Sequence, residues 1–179
     1  GTSHAYQVHI GNMRQEARGW IKLKSANPKD HPRIQPFYLA TKNDRREFRD
    51  GVKLTREIFA QKAFEPYRGA EISPGPNVNS DEEIDVFVRE RGDSAYHPSC
   101  TCKMGTDEMA VVDPQARVHG LQGLRVVDAS IMPSIVSGNL NAPTIMVAEK
   151  CSDMILGKPA LPKSNAPVFV HPNWRTAQR

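Results

Sequence analysis

A mixed α+β fold is predicted by three features of the sequence. Gly19-Trp20-Ile21-Lys22-Leu23-Lys24-Ser25 alternates apolar with basic side chains, the period of a half-buried strand. Phe48, Val52, Thr55, Phe59 and Ala63 recur at three- and four-residue spacing, with Ile58 widening the stripe, as a core-facing helix requires. Further on, Leu124-Arg125-Val126-Val127-Asp128 reads as a buried strand ending on a carboxylate, and a second long helix follows it. Strand and helix signals of this kind, mixed along one chain, define the class.

The elements follow in order. Residues 5 to 40 read as extended. Asn27-Pro28, His31-Pro32 and Gln35-Pro36 make the continuation of the first strand rich in turns, because each proline biases its predecessor away from helix. A long helix is predicted from Asp44 to about Phe64, closed by Glu65-Pro66. Ser73-Pro74-Gly75-Pro76-Asn77 is a loop. Ser80-Asp81-Glu82-Glu83 then spells a capping box, in which hydroxyl and carboxylate each satisfy an otherwise free amide. Ile84, Phe87 and Val88 give that helix an apolar side, and Gly92 ends it. The last helix is predicted from about Pro143 to Ile155, with Ile145, Ala148, Ser152 and Ile155 on its inner side. Pro143 suits the first helical position, where a missing N–H costs nothing, and Gly157 suits the C-cap. Pro159, Pro162, Pro167 and Pro172 mark a tail expected to be loosely packed or disordered.

Composition narrows the function classes. The 179 residues, 20.0 kDa, suffice for one domain or parts of two. Lys and Arg number 24 against 20 Asp and Glu, a formal charge of +4. That excess is too small to point to nucleic acid, and the basic residues are interleaved with acids in Asp44-Arg45-Arg46-Glu47-Phe48-Arg49-Asp50, the pattern of a solvated helix face. No apolar run reaches the roughly 18–20 residues of a membrane-spanning helix. Three cysteines exclude a disulfide-rich scaffold and leave at least one thiol unpaired within the chain. The chain opens Gly1-Thr2-Ser3-His4, with no charged leader or apolar signal core. It is expected to be a processed product or a piece of a longer protein.

Two stretches carry side chains suited to chemistry. In Asp93-Ser94-Ala95-Tyr96-His97-Pro98-Ser99-Cys100-Thr101-Cys102-Lys103-Met104-Gly105, an imidazole is held in an irregular loop. Its ordinary pKa lets it accept or donate a proton near neutrality. His97-x2-Cys100-x-Cys102 offers a metal half-site as a rival. The spacing does not match the usual zinc patterns, and no second cluster follows. No metal is expected, and the thiols read as packing groups or spectators. The second stretch joins the predicted strand end Asp128-Ala129-Ser130 to Gly138-Asn139-Leu140-Asn141-Ala142-Pro143-Thr144. The unpaired amides of a helix start favour a negative or electron-rich ligand atom, although an ordinary helix start has the same pattern.

Taken together, residues 93–105 and the run from Val112-Asp113-Pro114 through Ala148-Glu149-Lys150 resemble the C-terminal part of the glucose–methanol–choline (GMC) family of flavin oxidoreductases. Gly19-Trp20-Ile21-Lys22-Leu23 and Ile34-Gln35-Pro36-Phe37-Tyr38-Leu39 extend the resemblance upstream, to roughly residues 6–161. It implies part of the substrate-binding antiparallel sheet with its helices, plus a segment completing the FAD-binding domain. The corresponding division is 1–92 for the substrate-domain segment, 93–160 for the catalytic and flavin-facing segment, and 161–179 for the tail.

The resemblance also implies FAD as cofactor and His97 and Asn139 as the catalytic pair. Asp128 and Ala129 match the stretch that touches the ribityl–pyrophosphate region. Asn139, Asn141, Ala142, Pro143 and Thr144 match the helix start facing the flavin pyrimidine ring, where reduced flavin holds negative charge. The implied reaction is oxidation of a primary alcohol, such as choline to betaine aldehyde. His97 takes the hydroxyl proton, Asn139 orients the developing alkoxide, and hydride passes to the flavin. Tyr96 would be one wall of an aromatic cage for a quaternary ammonium, or a packing residue. A quinone-type electron acceptor, an N-terminal FAD-binding part of the same protein and a mitochondrial, inner-membrane-associated location are implied as well. One departure stands out: the family's Gly-x-Gly-x-x-Gly phosphate loop is absent, and Gly120 and Gly123 do not open a helix after a strand. The segment alone is therefore expected neither to hold FAD tightly nor to turn over substrate. Another alcohol oxidase or dehydrogenase of the family, a non-catalytic module and a small metalloprotein are the alternatives.

Overall fold

A computed structural model describes residues 4–173, 175 and 176. Strands β1 (Trp20–Lys22) and β2 (Arg33–Gln35) form an antiparallel pair in which Trp20 faces Gln35 and Ile21 faces Ile34. The cationic ends of Lys22 and Arg33 lie over the Trp20 ring, 5.0 and 5.9 Å from its centroid. Helices α1 (Lys42–Ala60), α2 (Asp81–Arg91) and α3 (Asn141–Ile155) complete the regular structure, with short 3-10 turns at Lys62–Phe64 and Ala129–Ile131. This is the mixed α+β architecture anticipated from the sequence.

The apolar side chains gather in two clusters. Val52 of α1 meets Ile84 and Val88 of α2, with Ile10, Leu39, Phe48, Val78 and Phe87 around them. Arg49 and Lys53 tie the helices together from outside, Arg49 through Asp81 and Asp85 and Lys53 through Asp81. The capping box forms as expected: Ser80 Oγ accepts from the Glu83 amide, and the Glu83 carboxylate accepts from the Ser80 amide. The second cluster joins Val112, Ala116, Ile131 and Cys151, flanked by Met104, Val126, Val127, Val147 and Met154.

Several details differ from the sequence reading. Helix α1 starts at Lys42, capped by the Thr41 hydroxyl on the Asp44 amide, and stops at Ala60. The chain then turns so that Phe64 stacks edge-on against Phe59, whose ring also meets Tyr6. That aromatic contact takes the place of the predicted last helical turn. Leu124 to Asp128 is not a buried strand. Leu124 is half exposed, and the segment is one arm of a tight turn closed by Val118 N–H to Leu124 O and Val126 N–H to Ala116 O. Gly120 and Gly123, both at positive φ, allow that reversal.

Helix α3 buries a different face from the one predicted. Ile145 and Ile155 are exposed, and Cys151, Val147 and Met154 face the core instead. Both stripes have helical spacing, and Ile131 decides between them by packing on the second. Pro143 is the third residue of α3 rather than the first, a position whose amide is also unpaired. Residues 158–171 run without helix or strand. Of the predicted tail, residues 174 and 177–179 lie outside the described residues.

Candidate active site

The His97 loop leaves the C-terminal end of α2, where the Gly92 amide closes on Val88 O. Beyond the histidine the chain is laced to the 3-10 turn. The amides of Cys100, Cys102 and Met104 donate to the carbonyls of Ala129, Ser130 and Ile131 at 3.3, 2.9 and 2.8 Å. Asp128 holds the start of that turn, its carboxylate accepting from the Ser130 amide at 2.7 Å. Ile131, 1% exposed, fixes the turn in the core. The loop bearing the imidazole and the strand end predicted to precede the last helix are therefore one unit.

Asn139 reaches the same place from the other direction. The loop from Met132 to Asn139 is held by buried Met132 at one end and buried Leu140 at the other. Midway, Arg14 Nη1 donates to Ile135 O at 3.3 Å. The segment carrying Arg14 is itself clamped to α1, because the Glu16 and Ala17 amides donate to the buried Asp44 carboxylate at 2.8 and 3.0 Å. These supports escaped the sequence reading. The signal available was Thr41-x-x-Asp44 ahead of an apolar run, a helix-start signature.

His97 Nε2 and Asn139 Oδ1 lie 2.9 Å apart across 42 positions of sequence. The carboxamide oxygen accepts, so the imidazole presents an N–H to it. This bond, foremost, and the Tyr96 backbone raise the His97 pKa above its ordinary value; the slight burial acts the other way. A half-exposed histidine and an exposed asparagine thus form a polar pair open to an incoming hydroxyl.

Helix α3 begins directly after this pair. Its N-cap, Leu140, has no capping side chain, so the amides of Asn141 and Ala142 lack the side-chain partner that Ser or Asp would give. Thr144 is the first residue whose amide closes a helical bond, to Leu140 O at 2.9 Å. Tyr96 adjoins His97 but projects outward, 80% exposed and at φ 58°. Among the described residues its ring stacks on no other aromatic ring. Cys100 and Cys102 are half-buried free thiols. No group of three or more His, Cys, Asp or Glu placed to hold a metal ion occurs among the described residues.

The family described as GMC oxidoreductase matches residues 15–148. The chain is 65% identical to human "Choline dehydrogenase, mitochondrial" over 92% of its length and 28% of that protein's. Against "Oxygen-dependent choline dehydrogenase" of Pseudomonas fluorescens (strain SBW25) it is 61% identical, over 93% of this chain and 30% of that one. It therefore spans less than a third of the length of these curated relatives. Among solved structures, pyridoxine 4-oxidase from Mesorbium loti superposes with a TM-score of 0.75 at 33% identity, over 83% of this chain and 29% of that one. The chain belongs to the GMC oxidoreductase family, whose cofactor is FAD.

Proposed function

We propose that this chain is the C-terminal, proton-handling segment of an FAD-dependent enzyme that oxidises choline to betaine aldehyde. The observation carrying the reading is the 2.9 Å pairing of His97 with Asn139 beside an uncapped helix start. Relatives named for choline at 61–65% identity favour choline over the other alcohols of the family.

The residues present fit one end of a flavin. Asn139 and the Asn141 to Thr144 helix start offer amide donors and a positive dipole end to an electron-rich ring edge. Asp128 and Ala129 would lie along the ribityl–pyrophosphate stretch, although one Asp128 oxygen is engaged by Ser130. A pyrophosphate cradle of the Gly-x-Gly-x-x-Gly kind is not in this sequence. The segment alone therefore neither retains FAD tightly nor turns over substrate in this reading. Bound FAD would supply the hydride acceptor.

The remaining chemistry belongs to this chain. In the neutral tautomer that carries its proton on Nδ1, His97 takes the hydroxyl proton of the alcohol at Nε2. The imidazolium so formed carries an Nε2–H that can donate to Asn139 Oδ1, which lies 2.9 Å from it. Because a carboxamide offers donors as well as an acceptor, Asn139 can hold the developing alkoxide through Nδ2. Its pairing with a charged ring is also what raises the His97 pKa. Tyr96 would meet the quaternary ammonium with the face of its ring.

Mitochondrial location follows the human relative's name, and a quinone-type acceptor is the electron sink in this reading. Full turnover with dissolved oxygen alone would align the protein with the bacterial relatives instead. The deciding experiment uses the full-length enzyme: His97→Ala should lower choline turnover by roughly 10²–10⁴, and unchanged turnover removes His97 from the mechanism.

A further inference from the structure

Asn139 ends a stretch, residues 133–139, that has neither helix nor strand. Buried Leu140 fixes the chain on the C-terminal side of the carboxamide. On the N-terminal side the next buried residue is Met132, and Gly138 has open space where a Cβ would stand, so packing does not steady the approach to Asn139. Among the described residues, one hydrogen bond ties the backbone of 133–139 to another segment: Arg14 Nη1 donates to Ile135 O at 3.3 Å.

Arg14 makes that bond from a fixed base. Two residues before it, Asn12 Nδ2 donates to Asp44 O at 3.2 Å, and two residues after it the Glu16 amide donates to the Asp44 carboxylate at 2.8 Å. Further upstream, Ile10 fills the opening left by Gly51 of α1, where a Cβ would come within 2.6 Å of Ile10 Cγ2. Both ends of the Arg14 segment are thus fastened to α1, an element that carries none of the reacting side chains. The guanidinium stays charged at any working pH, and its bond to a carbonyl is stronger than one between neutral groups. No carboxylate competes for it, since Arg14 forms no ion pair among the described residues.

We propose that Arg14 is a positioning residue for Asn139: its guanidinium, based on α1, holds the Ile135 carbonyl and with it the loop that presents the carboxamide to His97. The role rests on the reading of His97 and Asn139 as partners in the reaction, and its test can fail separately from that reading. Arg14→Met keeps an unbranched stem and removes the donors; Arg14 is exposed, so the variant should keep the fold. In the full-length enzyme it should slow flavin reduction by choline roughly 10- to 100-fold, the scale of a misplaced catalytic group, with KM little changed. In an Asn139→Ala background the same substitution should cost less than about twofold, because the group it places is gone. A general loosening of the protein would instead carry its full cost into that background. The second readout is the titration of His97 by NMR with ¹³C-labelled histidine, the signal being identified by its loss in His97→Gln. Its midpoint should fall in Arg14→Met, as the bond to Asn139 that raises it weakens, and should not move when Arg14→Met is added to Asn139→Ala. An unmoved midpoint in Arg14→Met overturns the proposal, as does an undiminished rate loss in the Asn139→Ala background. If Asn139→Ala reduces flavin at the unaltered rate while the Arg14→Met midpoint still falls, the functional reading is lost and the positioning role stands.

Discussion

Asp44→Ala tests the support beneath the site most severely. Asp44 is 2% exposed and is the single buried charged side chain among the described residues. Its carboxylate accepts the Glu16 and Ala17 amides at 2.8 and 3.0 Å, and hydrogen bonds to a charged group contribute about 1.5–3 kcal/mol each. Glu16 is exposed and can exchange its partner for water, whereas Ala17 is half-buried. The expected loss is therefore about 2–4 kcal/mol, with Asp44→Asn intermediate because one acceptor oxygen remains. Acidity gives a second signature. Burial raises the Asp44 pKa, but the bonds from Glu16, Thr41, Ala17 and Asn12 together hold it below the ordinary 3.8. A depressed carboxylate contributes stability that is full above the unfolded pKa and is lost as pH falls through the folded value. Urea unfolding at neutral and at acid pH, with amide exchange at Glu16 and Ala17, reads both effects. The variant should shed the acid-dependent component as well as the protection of those two amides. A change below about 0.5 kcal/mol, the scatter of neutral surface substitutions, would refute the clamp.

Elsewhere, Ile131→Ala should cost about 2–5 kcal/mol in urea unfolding, because Ile131 is 1% exposed at the centre of the cluster that carries the His97 loop; a smaller loss would mean that the turn is not held from the core. Burial raises the Cys151 thiol pKa and leaves it 2% exposed. Iodoacetamide labelling followed by mass spectrometry should thus modify half-buried Cys100 and Cys102 first, and Cys151 only on unfolding. Asn139→Ala removes the main cause of the raised His97 pKa. In the proposed reaction His97 accepts the proton in its neutral form, so the ascending limb of the pH–kcat profile of the full-length enzyme should move to lower pH as its maximum falls. An unmoved limb would separate Asn139 from the titration of His97.

The capping box at Ser80 and the apolar side of α2 were legible in the sequence because both are local, set by residues within one turn of each other. The pairing of His97 with Asn139 was legible only through family resemblance, since 42 residues separate them and no local rule spans that gap. The buried face of α3 was misread for a related reason. Its two stripes are both apolar at helical spacing, and only Ile131, from a distant turn, selects the one with Cys151. Arg14 and Asp44 act through backbone groups of other segments. Side-chain patterning carries no trace of those partners.

In the proposed reaction His97 and Asn139 work as one unit on the same substrate oxygen. A double-mutant cycle on the rate of flavin reduction by choline, measured in the full-length enzyme, tests it directly. For groups that act together, His97→Ala/Asn139→Ala should be hardly slower than His97→Ala alone. Losses that simply multiply would show two independent residues and contradict the account.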